Sequence, residues 1–126
     1  MDIKIKGLCG WWMLALLSVS NLVAQDGDLR LVDAAKAGEQ ETLRALLNKG
    51  IDVNIAQADG VTALHWAAHR DDLTSAELLI GKEAKVNAAN DYGVTALSLA
   101  CANANAAIVE TLLQAGADPN SAQWTG

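Results

Sequence analysis

The sequence repeats with a period of 33 residues from about residue 25 to its last residue. Four glycines keep this spacing: Gly27, Gly60, Gly93 and Gly126. Five further columns keep it as well: Leu31, Leu64 and Leu97; Ala34, Ala67 and Ala100; Leu46, Leu79 and Leu112; Leu47, Ile80 and Leu113; Asn54, Asn87 and Asn120. Chance does not align so many residue types in one register. A fixed period of this length predicts one supersecondary unit stacked on copies of itself.

Composition favours closely packed helices and excludes several classes of protein. Of the 126 residues, 52% are apolar, which is enough to bury a core and argues against a disordered chain. Only one residue is proline, which excludes a collagen-like chain. Phe is absent, so Ala and Leu must fill most of the core. The net charge of −6 argues against binding to nucleic acid. Two cysteines are too few for a disulfide scaffold or a structural zinc site.

Each period predicts two short helices and a turn. A Thr that can cap a helix opens residues 62–68, where Ala residues keep one side thin. A second apolar face lies over residues 73–80. The corresponding helices are predicted at residues 95–102 and 107–114 in the third period, and at residues 29–37 and 40–48 in the first. The Asn, Asp and Gly of the linking stretches suit tight turns.

Two segments carry a family resemblance. Residues 59–68 read Asp-Gly-Val-Thr-Ala-Leu-His-Trp-Ala-Ala, and residues 108–120 run from Ile-Val-Glu-Thr-Leu-Leu to Ala-Asp-Pro-Asn. Both closely resemble the ankyrin repeat. The resemblance covers about residues 25–126 and implies an all-α ankyrin-repeat solenoid, with stacked antiparallel helix pairs and projecting β-hairpin-like turns. It also implies a concave face made of the turns and the first helices.

This register divides the chain into five parts. They are residues 1–24, a signal peptide; 25–57, a first repeat that acts as an N-terminal cap; 58–90, a second repeat; 91–123, a third; and 124–126, the start of a truncated fourth repeat. The first repeat is interpreted as a cap because it lacks the Thr-Ala-Leu-His signature and is rich in charge. We expect the outer side of the third repeat to lack a polar cap, near Leu97, Ala100, Val109, Leu112 and Leu113.

Three residues depart from the pattern of the family. Asp71 and Glu83 stand where the family prefers Gly, so both are expected to adopt a positive φ at a cost of roughly 1 kcal/mol. Ser98 replaces the signature His65 in the third repeat. This replacement is expected to weaken the hydrogen bonding between neighbouring turns.

The first 24 residues have the order of a secretory signal peptide. Lys4 and Lys6 form a basic start, residues 8–23 are uncharged, and the stretch ends at Ala24 before a polar segment. We expect cleavage after Ala24 and a periplasmic or secreted protein, as is typical of a bacterial source. The alternative is an uncleaved anchor in the membrane, because the uncharged run over residues 7–25 approaches the roughly 20 residues of a membrane span.

Two histidines are candidates for a metal site. His65 and His69 lie four residues apart on one predicted helix, which is the spacing of a zinc-binding helix. Trp66 occupies the place of the general-base Glu, and a third ligand would have to come from Asp71 or Asp72. We therefore interpret His65 as the signature residue that hydrogen-bonds turn backbone, and His69 as an exposed variable residue. No metal or cofactor is expected.

A cysteine and a tryptophan also receive structural interpretations. Cys101 aligns with Ala35 and Ala68 and is predicted to be a small buried residue, with no His in its own repeat to activate it. Trp66 shares a column with Asp33 and Leu99, and we interpret it as packing between repeats. The sequence therefore predicts a protein that is not an enzyme.

The resemblance implies a protein-binding module that acts through its turn tips and first helices. In this sequence the corresponding residues are Asp59, Val61, His69 and Arg70 in the second repeat, Asp91, Tyr92, Val94 and Asn103 in the third, and Trp124 beyond it. Because acidic residues recur at the tips, the expected partner is a protein with a Lys- or Arg-bearing patch. We expect a monomer. The alternative is a docking or spacer region of a larger secreted protein with a catalytic or membrane domain.

Overall fold

The computed structural model describes residues 28–122, which form three helix pairs and a final 3₁₀ turn. Each pair consists of a first helix and a second helix, and every boundary lies within one residue of its sequence prediction. The elements are α1 (Arg30–Ala37), α2 (Gln40–Asn48), α3 (Ala63–His69), α4 (Leu73–Gly81), α5 (Ala96–Ala102), α6 (Ala106–Gln114) and the 3₁₀ turn η1 (Pro119–Ala122). The predicted signal peptide and residues 124–126 lie outside the described residues.

The helices stack in two rows that share one core. The first helices α1, α3 and α5 contact one another extensively, whereas the second helices α2, α4 and α6 contact one another less. Small buried side chains permit this close approach of the first helices: Ala34, Ala67 and Ala100 are at most 4% exposed. The columns Leu31, Leu64, Leu97 and Leu46, Leu79, Leu112 fill the same core. This arrangement confirms the predicted all-α ankyrin-type solenoid.

The turns between repeats are hairpin-like, as the resemblance implies. Antiparallel bridges join Ala56 to Thr62 and Ala89 to Thr95. Asn54 and Asn87 connect successive repeats in the same way: each side-chain oxygen accepts a backbone N–H of the next repeat, at 2.7 Å in both cases. Asparagine recurs at this column because an amide supplies an acceptor and a donor together.

The third repeat differs from its sequence prediction in one respect. Cys101 is exposed rather than buried, because Ala35 and Ala68 are each covered by the next first helix and the described residues contain no first helix beyond α5. Leu97, Ala100 and Leu112, near which no polar cap is expected, are nevertheless buried, because they belong to the shared core, and η1 packs against α5. Of that set, only Leu113 is substantially exposed, at 43%. No helix within residues 28–122 is long and apolar enough to cross a membrane.

Three residues other than glycine adopt a positive φ at helix ends. Asp71 and Glu83 have φ of 58° and 67°, as predicted. Ala104, with φ of 56°, was not predicted. It stands one period after Asp71 and two after Gly38, whose φ is 75°. The end of each first helix therefore requires the left-handed region, which is unfavourable for a residue with a Cβ atom.

His65 links its own turn to the turn of the next repeat. Its Nδ1 accepts the N–H of Thr62 at 3.1 Å, and its Nε2 lies 2.9 Å from the carbonyl oxygen of Val94. These partners require a neutral ring protonated at Nε2. Burial lowers the pKa of His65, outweighing the Val94 carbonyl and the charge of Asp59, which raise it. The Oγ of Ser98, in contrast, hydrogen-bonds to Thr95 of its own turn.

Ala104→Gly should stabilise the protein by about 0.5–1 kcal/mol, since glycine removes the left-handed strain and this gain exceeds the added entropy of the unfolded chain. Ala45→Gly is the matched control. Ala45 is exposed within α2, where the same substitution should destabilise by about 1 kcal/mol. Urea unfolding of both variants measures the difference, and equal destabilisation would contradict the proposed strain.

The free energy of unfolding should fall as the pH drops below the ordinary histidine pKa of about 6.5. A lowered pKa in the folded state means that the unfolded chain binds the proton more readily, so the stabilisation is complete above that pH and decreases below it. His65→Ser introduces the residue found at this position in the third repeat and should abolish this part of the pH dependence. His69→Gln should retain it. Urea titrations from about pH 7.5 to pH 5.5 provide the test.

Candidate partner-binding face

The turn tips of the second and third repeats lie side by side and are joined through backbone. The N–H of Asp91 donates to the carbonyl oxygen of Asp59 at 2.9 Å. Tyr92 comes directly after Asp91 and is 85% exposed, so its ring is available to a partner. The Asn90 side-chain oxygen accepts the N–H of Tyr92 and that of Val94, both at 2.9 Å, which fixes the tip beneath the ring.

Gly60 permits the close stacking of these two turns. Its φ is 87°, and a Cβ atom there would stand 3.0 Å from the Cα of Asn90. Such a contact would force the turns apart. The glycine of the 33-residue period therefore keeps the Asp59 and Asp91 tips next to each other.

The ends of the first helices carry the other predicted contact residues. The amide of Asn103 donates to the carbonyl oxygens of Ala68 and His69, at 3.3 and 2.8 Å, and thereby satisfies the end of α3. Arg70 is exposed and places its guanidinium close to Gly38 at the end of α1. Asn103 thus also holds neighbouring repeats together, and Arg70 lies against the end of the preceding first helix.

An apolar groove separates the turn tips from the ends of the first helices. Val61 and Val94 form its turn side, Trp66 and Leu99 form its helix side, and its volume is about 240 Å³. All four side chains are partly exposed. The rest of the lining comes from His65, His69 and Asn90. We refer to this feature as the Trp66 groove, and to the turns and first helices around it as the partner-binding face.

Trp66 itself is held by aromatic and cationic neighbours rather than by a hydrogen bond. The His69 ring lies edge-on to it, with 5.6 Å between centroids and 81° between planes. The Nζ of Lys36 lies 5.2 Å from the centroid of the Trp66 ring, which is within range of a cation–π interaction. The indole Nε1 is buried and has no hydrogen-bond partner among the described residues. An unpaired buried donor of this kind costs about 1–3 kcal/mol.

Charges of opposite sign border the groove on its two sides. Asp59 and Asp91 lie at the turn tips. Lys36 and Arg70 lie at the ends of the first helices, where positive charge also interacts favourably with the helix dipole. The partner-binding face is therefore acidic along the tips and apolar in the groove, and at the helix ends it carries Lys36 and Arg70 alongside the exposed Asp33 and Asp71.

The structure brings most of the predicted contact residues to this face. Val61 and Val94 are groove walls, His69 and Arg70 lie at the end of α3, and Asp59, Asp91 and Tyr92 form the tips. Trp124 lies outside the described residues. Sequence reasoning missed Trp66 and Leu99 as parts of the face. The available signal was the variable column of Asp33, Trp66 and Leu99, in which Trp66 was interpreted as packing between repeats.

Within residues 28–122, no group of three His, Cys, Asp or Glu side chains is placed to hold a metal ion. His65 hydrogen-bonds to backbone groups, as the sequence predicts. His69 is exposed, and its ring contacts Trp66.

Comparison with known families agrees with the geometry. A family model described as ankyrin repeats in three copies matches residues 31–123, which is most of the chain. A comparison with curated proteins finds no match. Ankyrin repeats are in general protein–protein interaction modules and typically have no catalytic activity. With three stacked helix pairs, hairpin-like turns and this match, the chain belongs to the ankyrin-repeat family.

Proposed function

We propose that this chain binds a partner protein through the partner-binding face. The observation that carries the proposal is Tyr92, an aromatic ring that is 85% exposed on a tip fixed by hydrogen bonds and flanked by Asp91. Exposed aromatic side chains on rigid supports are frequent anchors of protein interfaces.

Rigidity of the face supports the same proposal. The tips are joined by the Asp91 to Asp59 hydrogen bond, and His65 ties the second repeat to the Val94 carbonyl of the third. A surface that is already ordered loses little conformational entropy when a partner arrives. More of the contact energy then remains as affinity.

The charge of the tips indicates the partner's surface. Asp59 and Asp91 are exposed at neighbouring tips. A partner patch bearing Lys or Arg would complement them and accelerate association at low salt. Association should slow as ionic strength rises, because at 0.1 M salt screens the interaction of exposed charges that are more than about 10 Å apart.

The double variant Asp91→Ala with Tyr92→Ala should weaken partner binding at least about tenfold without changing the unfolding midpoint, because both side chains are exposed. Glu77→Ala with Lys82→Ala is the matched control, since these residues are exposed on α4 and at its end. The partner is first isolated by affinity capture with the full chain and mass spectrometry. Calorimetry with the purified partner then gives each Kd.

An unchanged Kd in the Asp91 and Tyr92 variant would contradict the proposed face. A loss of affinity in the Glu77 and Lys82 control would instead place binding on the second helices. The thermal midpoint of each variant separates loss of contact from loss of fold.

We also propose that residues 1–24 direct export and are then removed. Support comes from the sequence: Lys4 and Lys6 precede the uncharged residues 8–23, and Ala24 supplies a small residue before the polar segment. When the full chain is expressed in a secreting host, intact-mass analysis of the exported protein should give a chain that begins at Gln25. A chain that retains Met1 in the membrane fraction would favour the uncleaved anchor.

A further inference from the structure

Resting on the proposed function, we infer that the Trp66 groove receives one large apolar side chain of the partner. The partner segment carries Lys or Arg on the side of the turn tips and Asp or Glu on the side of Lys36.

The walls of the groove indicate that the middle residue of the partner segment is apolar. Val61, Trp66, Val94 and Leu99 are all partly exposed and apolar, so a ligand that covers them removes apolar surface from water. The volume of about 240 Å³ is below the roughly 300–1,000 Å³ of pockets for drug-sized ligands. The groove therefore has room for one large side chain and is small for a drug-sized ligand.

The acidic side of the groove is close enough to act on a ligand. Asp59 stands two residues before the groove wall Val61, and its charge acts on His65, which lines the groove. Asp91 comes directly after Asn90, which also lines it. A Lys or Arg of the bound segment would therefore lie near two carboxylates that share adjacent tips.

The basic side is provided by Lys36. Its ammonium group, in the last turn of α1, lies 5.2 Å from the centroid of the Trp66 ring, which is part of the groove wall. Neither of the two ion pairs within residues 28–122 involves Lys36, so its charge is available to a carboxylate of the partner. The partner segment is therefore expected to present a basic, an apolar and an acidic residue in this order, from the turn tips to Lys36.

The first experiment identifies the ligand pattern. A library of random short peptides is selected against the immobilised full chain, and we expect enrichment of a large apolar residue between a basic and an acidic residue. Selected peptides that lack Trp are then titrated into a chain in which Trp11, Trp12 and Trp124 are replaced by Phe. Trp66 is then the only indole, and its fluorescence should change on binding.

The second experiment tests the orientation by reversing one charge. Lys36→Glu should weaken binding of the selected peptide about tenfold, which is the scale of one favourable charge pair. Replacing the acidic residue of the peptide by Lys should restore the affinity for this variant. Lys82→Glu makes the same charge change at an exposed site near the end of α4 and should leave Kd unchanged.

A third variant tests the groove wall. Leu99→Asp introduces the residue that the first repeat carries in the same column, and it should abolish the fluorescence change. Its thermal midpoint and helical circular dichroism show whether it has folded. Should it fail to fold, Val94→Thr, which nearly conserves volume and adds a hydroxyl at the turn wall, takes its place and should weaken binding.

Several results would overturn the inference. They are the absence of the expected pattern among selected peptides, an unchanged Kd in Lys36→Glu, and a Trp66 signal that depends only on protein concentration, which would assign the groove to a second copy of the chain. Failure of the inference is distinguishable from failure of the proposed function. If the Asp91 and Tyr92 variant loses the partner protein while Lys36→Glu and Leu99→Asp retain it, only the groove assignment is wrong.

Discussion

Close packing of the first helices is the constraint on which the rest of the structure depends. Ala34, Ala67 and Ala100 are buried where α1, α3 and α5 meet, and larger side chains there would separate the helices. Separation would uncover the leucine columns and move the turns away from one another. The spacing of the tips is therefore a consequence of side-chain volume in the core, and the core and the partner-binding face cannot be altered independently.

Polar links convert this packing into a fixed register between repeats. Asn54 and Asn87 each bind backbone of the next repeat, and His65 reaches the Val94 carbonyl. Apolar contact alone has no direction and would tolerate small sliding of one repeat on the next. A hydrogen bond has a defined length and angle, so it limits that sliding. Ser98 lacks the reach of His65 and bonds to Thr95 of its own turn, so it strengthens one turn where His65 joins two.

The periodic positions were predictable from the sequence, whereas exposure at the variable positions was not. Helix boundaries, the positive φ of Asp71 and Glu83, and the burial of the leucine columns depend on properties that each repeat shares. Cys101 was predicted wrongly because its exposure depends on a neighbour on the far side of α5 rather than on its column. Ala104 is the opposite case. Its positive φ could have been predicted because it lies 33 residues after Asp71, but alanine itself does not indicate a left-handed conformation.

The variable column of Asp33, Trp66 and Leu99 explains how a repetitive fold acquires a particular site. These positions lie on the first helices, where the backbone repeats but the side chain is only partly buried or is exposed, so its type can vary. Asp33, Trp66 and Leu99 therefore occupy equivalent positions on their helices, and only Trp66 and Leu99 create an apolar surface. Trp66 packs against the core, as the sequence predicts, but its buried N–H is unpaired within residues 28–122, so it stabilises the fold less than a fully hydrogen-bonded side chain of its size would. Trp66 therefore packs against the core with one face of its side chain and borders an open groove with the rest, so the same residue contributes to stability and to the surface available to a partner.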